Sequence, residues 1–244
     1  MNFVLFYSIC FEIIQFFFLP FLKLQGKNVR KNVLKLPEAT GNRSGVIGKG
    51  QIIKILCIGD SSASGVGVEH IDLSLSGNLI NNLKLNFKCK WKVIAKSGVN
   101  SNHLIDLLLL EKNQKFKFVV ISIGMNDITS GNSLIIFKKN LIKLENILSK
   151  KFSVNYFIYS GMPPVHKLKT VPNPLKSILA IKALIFDKFL RVKCEKNINY
   201  KYININKLSF EENMVAKDGF HPSENFYKIW SEEISNIIKK EENY

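Results

Sequence analysis

The chain reads as a three-layer α/β domain: a parallel sheet with helices on both faces. Three observations predict it. Short apolar runs bounded by turn residues recur along the sequence, and segments with the 3.6-residue period of a helix separate them. The runs are continuous rather than alternating, as in strands buried on both faces. The length, 244 residues, suits one domain with a sizeable core.

Residues 1–22 are almost wholly apolar and rich in Phe, interrupted by Glu12 and Gln15. Roughly 20 apolar residues can cross a bilayer as a helix. A cleaved signal would need a basic start and a small-residue cleavage site, and neither is present. The segment is expected to be a hydrophobic helix that anchors the chain to a membrane. It would span the bilayer or lie in its plane with Glu12 facing water, the alternative being a helix packed on the domain. Lys23, Lys27, Arg30, Lys31 and Lys35 follow it. By the positive-inside rule they put the bulk of the chain on the cytoplasmic side.

Residues 23–51 are expected to form a basic, Gly-containing linker, with turn signals at Leu36-Pro37-Glu38 and Thr40-Gly41-Asn42. Gly48-Lys49-Gly50 is no phosphate loop: no Ser or Thr follows, and it precedes a strand instead of following one. The domain proper is expected over 52–244. Its strands are predicted at 52–58, 91–95, 116–123, 156–159 and 200–205, and its helices near 71–86, 101–112, 133–150, 175–195 and 223–240.

Lys and Arg number 35 against 19 Asp and Glu, a formal net charge of +16. Such a field favours anionic partners. The lysines are scattered, however, and no zinc-finger, RRM or KH signature accompanies them, so no nucleic-acid role is expected. Cys10, Cys57, Cys89 and Cys194 form no CxxC pair, and His70, His103, His166 and His221 are too dispersed for a zinc motif.

In open α/β sheets, sites form at the carboxyl ends of the strands. The first run leads into Gly59-Asp60-Ser61-Ser62-Ala63-Ser64-Gly65, where Ser61 stands at a strand-to-loop junction. It is not the G-x-S-x-G elbow, because Ala63 stands where that motif needs Gly. The second leads to Ser97-Gly98-Val99-Asn100, where a glycine offers an unobstructed N–H. The third leads to Gly124-Met125-Asn126-Asp127. The Asn126 amide can donate into a site there, and Asp127 is the better candidate to cap the following helix. The fifth leads to Asp218-Gly219-Phe220-His221-Pro222, in which a carboxylate lies three residues before an imidazole that it could orient.

These four segments, in this order, resemble the blocks of the SGNH hydrolases, also called the GDSL esterase/lipase family. The family's Ser, Gly, Asn and His fall on Ser61, Gly98, Asn126 and His221, with Asp218 completing the triad. The string itself departs to Gly-Asp-Ser-Ser, at a position that is not catalytic in the family. The resemblance runs from about residue 52 to the C-terminal helix. It implies a flavodoxin-like sheet of order 2-1-3-4-5, a shallow open site, and metal-independent hydrolysis with no cofactor.

The implied chemistry is acyl transfer to Ser61, with His221 as base, Asp218 behind it, and an oxyanion hole from Ser61, Gly98 and Asn126. The expected substrate is a small acyl ester or lipid, as for an esterase or lysophospholipase. The alternatives are a carbohydrate O-acetyl esterase and a membrane-tethered binding protein on a hydrolase fold. The segment 161–166, Gly-Met-Pro-Pro-Val-His, is a candidate wall of the cleft.

Overall fold

The computed structural model describes residues 2–208 and 212–243. Met1 and Tyr244, the outer limits of the expected segments, lie outside the described residues. Six strands form one mostly parallel sheet: β1 (Ser44–Ile47), β2 (Ile52–Gly59), β3 (Lys88–Ala95), β4 (Phe118–Ser122), β5 (Tyr156–Ser160) and β6 (Tyr200–Ile203), in spatial order β1-β3-β2-β4-β5-β6. The five parallel strands thus run 2-1-3-4-5 in chain order. β1 adds an antiparallel edge, with Ser44 opposite Lys92 and Ile47 opposite Cys89.

Successive side chains of these strands point to opposite faces and feed two cores. Leu56, Ile58, Val119, Ile121, Phe157 and Tyr159 pack under α3 (Ser101–Leu110), α5 (Leu134–Phe152) and α6 (Leu175–Glu195). Ile53, Ile55, Cys57, Phe118, Val120 and Ile158 pack under α2 (Leu75–Leu83) and α7 (Glu224–Glu241). Each fully buried aliphatic or Phe side chain contributes about 1.5–3 kcal/mol, so the two layers hold the sheet from both sides. Ser74, Asn100, Ser133 and Ser223 begin α2, α3, α5 and α7, each accepting a hydrogen bond from a first-turn N–H.

The N-terminal helix α1 (Asn2–Asn32) is longer than the apolar stretch and takes in residues read as linker. It packs on the domain: Val4 and Leu22 join the core shared by α5 and α6. Two of its polar residues, Glu12 of the apolar stretch and Gln25 beyond it, make contacts too. Glu12 Oε1 accepts from the Leu134 N–H (3.4 Å) at the start of α5, and Gln25 Oε1 from the Leu175 N–H (3.1 Å) at the start of α6. Glu12 therefore faces the domain, where a helix amino end favours a negative charge. No single helix among the described residues is long and apolar enough to cross a membrane. Phe3–Ile13 and Gln15–Asn32 reach that length and composition only as a pair, across a 67° bend.

The remainder of the expected linker is also built in. Thr40 bridges to His70, and residues 44–47 form β1. The short edge strand escapes periodicity because most of it is exposed on a four-residue run.

Candidate active site

The segments that follow β2, β3 and β4 and the one that precedes α7 meet at the carboxyl end of the sheet. β2 ends at Gly59, whose φ is +154° and where an added Cβ would lie 2.0 Å from the Ser122 carbonyl oxygen. Only glycine lets β2 turn out beside β4 at that point. The Asp60 N–H then donates to the same carbonyl (3.1 Å), and the Val66 N–H donates back to the Ser61 carbonyl (2.9 Å), closing the loop that presents Ser61.

Three serines stand in this loop, and the geometry separates them. Ser61 Oγ lies 3.0 Å from His221 Nε2. Ser64 is fully buried and donates to the Ser61 carbonyl (3.0 Å). Ser62 borders the pocket but has no bond to the histidine.

His221 is held in a turn in which the Ala216 N–H donates to the His221 carbonyl (2.8 Å) and the Gly219 N–H to the Ala216 carbonyl (2.9 Å). Asp218 Oδ1 accepts from the Phe220 and His221 N–H groups (2.9 and 3.0 Å), and its Oδ2 lies 2.5 Å from His221 Nδ1. Burial pushes the Asp218 carboxyl up, but the His221 ring and these backbone N–H groups outweigh it and hold the group below the usual carboxylate value. An ionised carboxylate only accepts, so in the neutral imidazole the proton belongs on Nδ1, which leaves Nε2 to accept from the Ser61 hydroxyl.

Asn126 is the second residue of the short helix α4 (Met125–Ser130). Its Nδ2 donates one hydrogen to the Val99 carbonyl (2.9 Å) and keeps a second. Gly98 is exposed, has φ +81°, and would meet nothing within 4 Å of an added Cβ. Glycine is thus required there by the left-handed backbone, not by a close approach. The N–H groups of Ser61 and Gly98 donate to no protein acceptor among the described residues. The arrangement can transfer a proton from serine to imidazole and offer N–H donors to a developing oxyanion.

Asp127 differs from its expected capping role. α4 begins at Gly124 with no side-chain cap, and the Asp127 carboxylate instead reaches across to α3. It accepts from the Ser101 N–H (2.9 Å), the Ser101 hydroxyl (2.6 Å) and Asn132 Nδ2 (2.9 Å), and Asn140 Nδ2 donates to the same Ser101 oxygen (2.9 Å). This buried lattice ties the element that carries Asn126 to the one that follows Gly98. Only the pairing of Asn126 with Asp127 at one strand end hinted at it.

Glu38 was also missed. It lies in the expected linker, accepts from the Ser97 N–H (2.5 Å), and is itself held by Arg43 (2.7 Å). Asp60 is buried beside the triad, with Oδ1 accepting from the Ser62 N–H (3.2 Å). Burial pushes its carboxyl up to about 7, against the lowering pull of that N–H and of His221.

A pocket opens over Ser61, Asn126 and His221. Gly161, Met162 and Pro163 of the expected wall line it, with Met125, Leu168 and Phe220. Among the described residues no group of three or more His, Cys, Asp or Glu could hold a metal ion.

No curated protein matches the chain. Solved structures do. A lipolytic protein of the G-D-S-L family from Veillonella parvula superposes with a TM-score of 0.58 at 16% identity, over 76% of this chain and 97% of that one. The esterase EstA from Pseudoalteromonas sp., inhibited by monoethylphosphonate, gives 0.54 at 18%, over 78% and 99%. A carbohydrate esterase family 2 enzyme from Corynascus thermopiles, with its carbohydrate-binding domain, gives 0.59 at 13%, over 86% and 69%. At these identities the likeness is one of fold. The model of the GDSL-like lipase/acylhydrolase family, in contrast, matches residues 55–234 of the sequence itself, from the first parallel strand into the last helix. On that match, over a fold of the same plan, this chain belongs to the GDSL-like lipase/acylhydrolase family and is an ester-hydrolysing enzyme.

Proposed function

We propose that the chain hydrolyses carboxylic acyl esters through an acyl-serine intermediate formed on Ser61. The observation that carries this reading is the unbroken line of contacts from Asp218 through His221 to Ser61. His221 Nε2 takes the Ser61 proton as Oγ attacks the ester carbonyl, then returns it to the leaving alcohol. Asp218 holds the ring in the required tautomer and stabilises the imidazolium. The Ser61 and Gly98 N–H groups and the second Asn126 N–H receive the oxyanion. Water then repeats the sequence against the acyl-serine and frees the acid.

The apolar side chains of Met125, Met162 and Leu168 favour an acyl chain over a sugar in the pocket, as in an esterase or lysophospholipase. A fluorophosphonate should label Ser61, and Ser61→Ala should abolish both labelling and hydrolysis. Label found on Ser62 or Ser64 by mass spectrometry would overturn the assignment. Rates on nitrophenyl esters of graded chain length, set beside acetylated sugars, distinguish the acyl-ester reading from a carbohydrate O-acetyl esterase.

We further propose that α1 holds the enzyme at a membrane, with the domain on the cytoplasmic side. Phe3, Phe6, Ile13, Phe16, Phe17 and Phe21 are exposed along it, and the basic run from Lys23 follows. The full-length protein should stay with membranes through a high-salt wash, because salt does not screen apolar burial. Release by salt alone would show that only the basic surface holds it.

A further inference from the structure

The pocket beside Ser61 is not uniformly apolar. Part of its wall is made by Ile205, Met214 and Trp230. Trp230, on α7, is 4% exposed and stacks on Tyr227 with ring centroids 6.3 Å apart. Its Nε1–H is buried and has no hydrogen-bond partner among the described residues. The neighbouring Tyr227 hydroxyl is already committed to the Val66 carbonyl (2.8 Å). At the end of β5, next to pocket-lining Gly161, the Ser160 hydroxyl is also buried without a partner. Strand alternation turns Ser160 to the α7 side, because Ile158, two residues earlier, packs in the same core as Trp230.

A buried polar group without a partner carries a desolvation cost that a suitable occupant would remove. An indole N–H only donates, so that occupant must bring an acceptor. Asp60 lines the same pocket, and once ionised its carboxylate would repel an anionic substituent.

Building on the ester-hydrolase reading, we infer that this wall is a specificity subsite for acyl groups carrying a neutral hydrogen-bond acceptor, a hydroxyl or oxo oxygen bound by the Trp230 Nε1–H. Esters of hydroxy- or oxo-substituted short acids are then preferred over plain acids of the same length.

The test compares ethyl butanoate, ethyl 3-hydroxybutanoate and ethyl 3-oxobutanoate on the full-length enzyme. kcat/KM should favour the oxygenated esters by about 5–10-fold, the size of one added hydrogen bond, and Trp230→Phe should bring the ratio towards one. A ratio of one in the parent enzyme, or an equal ratio in both proteins, overturns the proposal. A second measurement needs neither turnover nor a change at Trp230. The chain has two tryptophans, so ¹⁵N-labelled Ser61→Ala protein shows two indole N–H signals. The Trp230 signal should move downfield with ethyl 3-hydroxybutanoate and not with ethyl butanoate. If it responds to neither, the subsite is wrong even where hydrolysis is intact. If it responds while no ester is hydrolysed by the parent enzyme, the subsite stands and the hydrolase reading of Ser61 fails.

Discussion

Asn126 has two amide hydrogens, and one is already bonded to the Val99 carbonyl. That bond aims the other and joins the two loops that would surround an oxyanion. α4 has no side-chain cap, so Asn126 does not serve as one; a purely structural role would leave turnover intact, whereas an oxyanion role would not. Asn126→Ala is expected to lower kcat by about 10²–10³ with KM little changed. Melting temperature and kcat measured on one preparation check this, and Asn126→Asp should be at least as harmful because a carboxylate opposes the developing charge. Asp127 acts one step behind. Asp127→Asn sets an amide N–H₂ among the Ser101 and Asn132 donors in a fully buried place. It is expected to cost about 1–3 kcal/mol of stability and to lower kcat by loosening Asn126 against Gly98, as denaturant titration and kinetics together would show.

At the scale of elements, α1 is docked by polar contacts as well as by its apolar side. Glu12 and Gln25 satisfy the first N–H groups of α5 and α6, the donors that no helix can satisfy internally. Glu12→Ala or Gln25→Ala should each cost about 0.5–2 kcal/mol, like loss of a helix cap, read as a lowered melting temperature. Deleting residues 1–24 also removes the packing of Val4 and Leu22, each worth about 1.5–3 kcal/mol. The truncated chain should therefore melt well below the parent. Its Ser61 should still take a fluorophosphonate label, because the contacts that build the site begin at Glu38.

For the whole molecule, two buried carboxylates pull the pH dependence of stability in opposite directions. Asp60 keeps its proton up to about 7 in the folded state because it is buried, whereas the unfolded chain releases it near 4. Between those values the folded state binds more protons, so this group makes stability fall as pH rises, by an amount on the order of a few kcal/mol. Asp218 is held below its usual value. Its contribution is present above about 4 and is lost as pH falls through its folded value. Asp60→Asn keeps an oxygen for the Ser62 N–H while removing the charge. Its melting temperature should match the parent's near pH 4 and exceed it above pH 7, in a series of thermal scans across that range.

Local patterns along the chain determined the parallel core. Continuous apolar runs such as 118–122 can be satisfied only between two helical layers, and that follows from side-chain chemistry alone. The candidates Ser61, Gly98, Asn126, Asp218 and His221 were legible for a related reason: each stands in a polar, turn-forming segment beside such a run or helix. What local pattern could not decide was every contact made across the chain. β1 is a strand because β3 offers an edge to pair with, not because four mostly exposed residues prefer it. The polar residues Glu12 and Glu38 face helix ends and loops that lie far away in sequence. Asp127 follows Asn126 as a capping residue would, yet the approach of α3 makes its carboxylate a cross-link. The 3.0 Å between Ser61 and His221 spans 160 positions of sequence. It exists because β2 lies inside the sheet and α7 packs over it, a long-range order that the free energy of the whole core decides and no single segment encodes.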